Sequence, residues 1–317
     1  MVRPSKLLRC MAALTAFFMA LPSQAWFNGG HMLVAYIAYR NLTPRVRSRV
    51  DALLQRNEMY AHWTNGVAEA DKPIAAFVKA ATWADCIKRQ DCEPGYTRDG
   101  GDVPPGRPTD AQNIGYADKR MHAYWHFIDL PLAAGAPGAP PKVPNALTEI
   151  ELLTKAIGSA ESDDVKSYDL VWLEHLVGDI HQPLHATSRF TPNHPDGDAG
   201  GNRVYFCEKP CKDELHAYWD GLLGDDLALS QAKKRGNLLL ESGKPTGASN
   251  ASPNAWVKQS FDLAKRYVYA PPIGDDATRS LSPRPDAQYA AQAKRVARAQ
   301  ATLAGYRLAA LLNKNLK

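Results

Sequence analysis

Two segments of the chain set an imidazole and a carboxylate four residues apart. In VWLEHLVGDIHQPLH, residues 171–185, the pair is His175 and Asp179; in ELHAYWDGLL, residues 214–223, it is His216 and Asp220. On a helix this spacing puts both side chains on one face, with Cβ atoms about 5–6 Å apart. A nitrogen and an oxygen donor so placed can grip a zinc ion from a rigid scaffold. One such pair alone suits a surface ion pair or a capped core histidine equally well. His185 follows His175 by ten residues, so on an unbroken helix it lies roughly 80° off that face. Pro183 ends or bends the helix there, which lets His185 turn towards a neighbouring metal. His181 points away from the His175/Asp179 face and is expected to be a supporting or surface residue.

Two further segments carry candidate ligands. Asp85 sits in Thr-Trp-Ala-Asp-Cys-Ile-Lys with Lys88 one turn later, and His126-Phe127-Ile128-Asp129 follows Tyr124 and Trp125. Ionisable groups among aromatic and apolar residues are rarely buried unpaired, and a shared metal would explain both. The simpler alternatives are an i,i+3 salt bridge for Asp85 and Lys88, and a hydrogen-bonded core histidine for His126.

The N-terminus adds an unusual donor. Residues 1–25 carry Arg3, Lys6 and Arg9, an apolar stretch from Met11 to Leu21, and then Pro-Ser-Gln-Ala. That is the pattern of a secretory signal peptide cleaved after Ala25; the apolar run is shorter than the roughly 20 residues a spanning helix needs. No membrane anchor is therefore expected, and the mature protein is expected to be secreted or periplasmic and to begin at Trp26. A free α-amine has a pKa of about 7.7–8.0, so the Trp26 amine can coordinate zinc beside its own carbonyl, with His31 five residues on.

The elements that must position these residues are helical. Apolar residues recur at three- and four-residue spacing over 31–40, 45–57, 66–88, 146–161, 167–182, 213–223, 254–268 and 285–313, the period of an amphipathic helix. Alternating strand patterns are scarce. Loops concentrate at 89–120, 131–145 and 188–212, and none divides the chain, because candidate ligands lie on both sides of each. The expected fold is all-α, one domain over 26–317. Removing the leader lowers 38 basic residues to 35 against 33 acidic ones, too even a balance for a general basic field around a phosphate backbone. Attraction for nucleic acid would have to come from the site itself. Loss of Cys10 leaves four cysteines; in an exported protein an even count suggests disulfides. Of the three pairings, the local ones, Cys86–Cys92 and Cys207–Cys211, are favoured over zinc-thiolate ligation, since no CxxC is present.

Taken together, Trp26 with His31, WAD85xxK88, H126FID129, H175xxGD179xxQPLH185, GGN202 and LH216xxWD220 resemble the zinc-dependent single-strand nucleases. This is the nuclease type I family that includes mung bean nuclease, whose fold is shared with zinc-dependent phospholipase C. The motifs follow in order from residue 26 to about 313. The resemblance implies a helical domain with long loops around three zinc ions. Asp85, His126, His175 and Asp179 would hold the first, and His185, His216 and Asp220 the second. The third would take the Trp26 amine and carbonyl, His31 and a bridging oxygen of Asp179. It further implies catalytic roles for Asp85, Lys88 and Asp179, with Lys88 on the phosphate. Phe127 and Asp129 would form a base pocket with Asn202 beside it. The implied substrates are single-stranded RNA and DNA, cut to 5′-phosphate products, and 3′-mononucleotides; no stable protein partner is implied. Paired metals clamp a phosphoryl group and activate water, and an aromatic platform needs an unstacked base. Two alternatives are a phospholipase C on the same fold, whose last motif is HxxxE where this chain has His216-xxx-Asp220, and a non-catalytic zinc-binding protein.

Overall fold

A computed structural model describes residues 26–89, 95–99, 119–133, 140–206, 214–274 and 283–316. The expected leader, Cys92, Cys207 and Cys211 lie outside the described residues; Cys86 is disulfide-bonded.

Helix α1 (Asn28–Asn41) is buried from Gly29 to Tyr39. Its sequence is apolar on every side, which makes it a central helix rather than a surface one. Helices α4 (Lys72–Ala80), α7 (Asp163–Asp179), α9 (Leu229–Leu240) and the long α11 (Ala287–Asn315) all pack on it. Helix α7 is started by the Ser162 hydroxyl, which accepts from Val165 N–H, and is buried from Lys166 to its end. Around α7 lie α2 (Pro44–Gln55), α5 (Trp83–Arg89) and α6 (Ala146–Gly158), and α10 (Pro253–Leu263) packs on α6. Helix α6 opens with a reciprocal cap between Asn145 and Thr148, which satisfies two otherwise unpaired backbone donors. Among the described residues the only strands are β1 (Pro131–Ala133) and β2 (Ser188–Phe190), which pair in parallel with Pro131 opposite Ser188. This short ladder ties the chain after Asp129 to the chain after His185. The fold is all-α, and no described helix is long and apolar enough to cross a membrane.

Three local features differ from the sequence pattern. The stretch 66–88 is not one helix: a 3-10 turn (Glu69–Asp71) leads into α4, and α5 starts afresh at Trp83. The Thr82 hydroxyl turns back to the Lys79 carbonyl at 2.8 Å, competing with helix continuation. Two helices escaped the periodicity, α3 (Tyr60–Thr64) and α9. In α9 the polar run and Gly236 mask the pattern; a Cβ at Gly236 would run into the Tyr36 ring of α1, so glycine is what lets the two helices approach. Finally, the segment at 167–182 begins earlier and stops at Asp179, after which a 3-10 turn over Pro183–Ala186 redirects the chain.

Helix α8 (Leu215–Asp220) is short and relies on packing. Trp219 is fully buried beside Leu184, Val204, Phe206 and Tyr289. Its indole N–H donates to the Tyr289 hydroxyl at 2.9 Å, which donates on to the Val268 carbonyl at 2.8 Å.

Candidate metal centre

The largest group of donors forms where α1, α5 and α7 converge. A Cβ at Gly178 would sit 2.8 Å from His31 Nδ1, so glycine at that turn of α7 admits the imidazole of α1. The His31 ring then stacks on His175 at 3.9 Å and 13°. The break before α5 frees the Ala81 carbonyl, which accepts from His175 Nδ1 at 2.7 Å. A carbonyl accepts only, so the proton is on Nδ1 and the Nε2 lone pair faces inward. His175 Nε2 lies 3.3 Å from Asp179 Oδ1, 3.7 Å from Asp85 Oδ1 and 3.0 Å from His126 Nδ1. His126 Nδ1 is 3.0 Å from Asp179 Oδ2, and His31 Nε2 is 3.3 Å from Asp179 Oδ1. Two donor triads overlap here, His31–His175–Asp179 and Asp85–His126–His175, with the donor atoms of each within 4.8 Å of one another.

The second group joins α8 to the turn after α7. His185 Nδ1 donates to the His126 carbonyl at 2.7 Å, and His216 Nδ1 donates to the Gly200 carbonyl at 2.6 Å. Gly200 has φ +62°, and a Cβ there would meet the Leu184 carbonyl at 2.7 Å, so the loop depends on glycine to present that acceptor. Both Nδ1 protons being spent, the bare Nε2 atoms of His185 and His216 face each other across 3.0 Å. Asp220 Oδ2 is 3.4 Å from His216 Nε2 and completes the triad. Gln182 holds Asp220: its Nε2 donates to Oδ1 at 2.6 Å while its Oε1 accepts from Leu184 N–H.

The electrostatics fit a cation. All eight residues are at most 3% exposed. Burial lowers His31 and His175 to about 4 and takes His126 and His185 well below the usual imidazole value, so the rings are neutral donors. Burial, with the charge of neighbouring carboxylates, pushes Asp179 and Asp220 well above the carboxylate range. Burial also pushes Asp85 upward, but Lys88, His175 and His31 outweigh it and hold Asp85 below that range. Neither oxygen of Asp179 nor either nitrogen of His31 has an aligned hydrogen bond among the described residues. Desolvated lone pairs aimed at one another are costly unless a positive charge lies between them, and imidazole nitrogens with carboxylate oxygens are the donor set of zinc. The carbonyl and amide partners would fix the orientation of those ligands.

The remaining sequence-derived residues lie around this centre. Lys88 is buried, its Nζ 2.7 Å from Asp85 Oδ1. Trp26 is fully buried, its side chain over Gly30, and Phe27 N–H donates to the Asp220 carbonyl at 3.1 Å. That bond fixes the start of the described chain against the end of α8. Phe127 and Asp129 are half-buried on either side of Ile128, whose N–H donates to the His185 carbonyl at 2.8 Å. Asn202 is half-buried with Nδ2 3.3 Å from His216 Nδ1. His181 is not at the surface: it is buried on the far side of the turn, its Nε2 2.8 Å from Arg307. Gln182 was missed by motif spacing, although a polar residue beside Pro183 in an apolar run was a signal. Equally missed were Asp169, Glu174 and Glu149, all fully buried.

The family model described as S1/P1 Nuclease matches residues 26–317. Nuclease S1 of Aspergillus oryzae is 26% identical over 309 residues, covering 91% of each chain. Endonuclease 4 and Endonuclease 5 of Arabidopsis thaliana are each 29% identical over 181 residues, covering 49% of this chain and 54% and 55% of theirs.

Proposed function

The chain belongs to the S1/P1 nuclease family, and we propose that it is a secreted, zinc-dependent nuclease that cuts single-stranded RNA and DNA and also removes the phosphate of 3′-nucleotides. The observation that carries the metal assignment is the 3.0 Å approach of the His185 and His216 Nε2 lone pairs, with both Nδ1 protons committed to carbonyls.

Three zinc ions would be held by Asp85, His126, His175 and Asp179, by His185, His216 and Asp220, and by His31 with Asp179 and the freed Trp26 amine and carbonyl. When bound, such ions neutralise phosphate charge and bring the pKa of water from 15.7 towards about 7. Asp85, kept ionised by Lys88, accepts a hydrogen bond from the attacking water and orients it. Lys88 draws the phosphate towards that water. Gln182 keeps Asp220 from rotating. Phe127 offers a face for a base to stack on, worth roughly 1–3 kcal/mol, and Asp129 accepts from the edge of that base, with Asn202 alongside. A base inside a duplex cannot reach such a platform, which favours single strands. Cleavage after Ala25 creates the N-terminal donor and exports the chain, where Cys86–Cys92 and Cys207–Cys211 can form.

Assays of the mature protein on single-stranded and duplex RNA and DNA, 3′-AMP and phosphatidylcholine, with and without chelator, test this. Single strands and 3′-AMP should be hydrolysed, and chelator should abolish both activities. Preference for duplex or for phosphatidylcholine would overturn the reading.

A further inference from the structure

Behind α1, on the side away from His31, lies a cleft of about 480 Å³ between α1, α9 and α11. Its volume is within the roughly 300–1,000 Å³ of small-molecule sites. Leu33 and Leu223, both 1% exposed, line its depth. They follow His31 by two residues and Asp220 by three, so the cleft backs onto elements of the metal centre without sharing a ligand with it. Leu238, Leu239 and Pro245 line it further, and Leu238 is 54% exposed, one of two large apolar side chains so exposed among the described residues.

The cleft also holds two guanidiniums, Arg235 of α9 and Arg298 of α11. Neither side chain has an ion-pair or hydrogen-bond partner among the described residues. No acidic residue occurs anywhere in α9 or α11 to balance them. Burial and the nearby Arg298 both lower the pKa of Arg235, the mark of a like-charge pair held together without a counterion. Two facing cations beside an aliphatic wall match an anion that carries a hydrocarbon chain. A phosphate monoester carries about −1.5 to −2 at neutral pH and matches two guanidiniums better than a carboxylate does. Among the described residues, the walls contain no aromatic ring and no side-chain carboxylate or amide that could recognise a base, which disfavours a nucleotide.

We propose that this cleft binds a single-chain alkyl or acyl phosphate, the chain lying along Leu33, Leu223, Leu238 and Leu239 and the head group between Arg235 and Arg298. Calorimetry on the zinc-loaded mature protein, with dodecyl phosphate below its micellar concentration, tests it. The Arg235→Gln/Arg298→Gln double variant identifies the cleft event, since binding of phosphate at the metal centre survives in that variant. The cleft event should be one per chain and weaken about tenfold or more in the double variant, which removes two charge-assisted contacts. Leu238→Ser should weaken it by about three- to tenfold through lost apolar contact. Both variants should hydrolyse a dinucleotide at the wild-type rate, which shows that they are folded. Dodecanoate, inorganic phosphate, AMP and dodecyltrimethylammonium should all bind the cleft more weakly than dodecyl phosphate. The proposal is overturned by an isotherm that the double variant leaves unchanged. A cleft affinity for dodecanoate, inorganic phosphate or AMP equal to that for dodecyl phosphate would overturn it as well.

Discussion

Asp169 and Asp179 lie ten residues apart on α7, both fully buried and both with carboxylate oxygens that no described group hydrogen-bonds. Asp179 faces nitrogen. His126, His175 and His31 come within 3.0–3.3 Å of it, and burial makes each ring a neutral donor. Asp169 faces like charge instead. Burial first, then Glu161 and Glu149, raise it to about 9, and Glu149, buried behind it on α6, rises to about 8. Two carboxylates with the same burial therefore need different partners: Asp179 a cation, Asp169 a proton. Burial of an acid does not by itself mark a ligand; the convergence of lone pairs on it does.

Substitution should separate the two most sharply. Asp179→Asn is expected to cut nuclease activity by about a thousandfold or more, because it removes the carboxylate proposed to be shared between two metal sites. Asp169→Asn should leave kcat/KM within about twofold. Comparable losses in steady-state assays would erase the distinction. Chelation gives the next largest effect. Removing the metal leaves desolvated lone pairs uncompensated and forfeits the binding free energy, so the melting temperature should fall by roughly 10 °C or more. The same drop should appear in Asp169→Asn and be much smaller in Asp179→Asn.

The pH dependence sharpens the contrast from the Asp169 side. Its folded pKa of about 9 lies above an unfolded value near 3.9, so the native state binds the extra proton. The stability it contributes is complete below about pH 4 and is lost progressively as pH rises towards 9. Asn is neutral throughout. Asp169→Asn should therefore match the wild type near pH 4 and melt higher at pH 8. The gain should be up to about 10 °C, since each pH unit between about 4 and 8 costs the wild type about 1.4 kcal/mol, roughly 5 kcal/mol in all. A constant difference across that range would show that Asp169 does not titrate on unfolding.

Much of the candidate site was legible in the sequence because its donor groups sit at helical spacing: His175 with Asp179, His216 with Asp220. Pro183 announced the redirection that carries His185 to His216. What was not legible depends on contacts distant in sequence. The break between α4 and α5 is set by a Thr82 hydroxyl that also suits a helix interior, yet it is what frees the Ala81 carbonyl for His175. Helix α9 was hidden because its polar run and Gly236 make sense only against Tyr36. The role of Asp169 was not legible either: its spacing to His175 set Asp179 apart, but nothing in the sequence shows that Asp169 is buried near Glu149 and takes up a proton.

Anomalous diffraction at the zinc edge, on mature protein that begins at Trp26, decides whether lone-pair convergence or burial locates the metals. Three peaks are expected: one among Asp85, His126, His175 and Asp179, one among His185, His216 and Asp220, and one beside His31, Asp179 and the Trp26 terminus. Nothing should appear near Asp169 and Glu149. A single peak, or any zinc at the Asp169–Glu149 pair, would contradict location by lone-pair convergence.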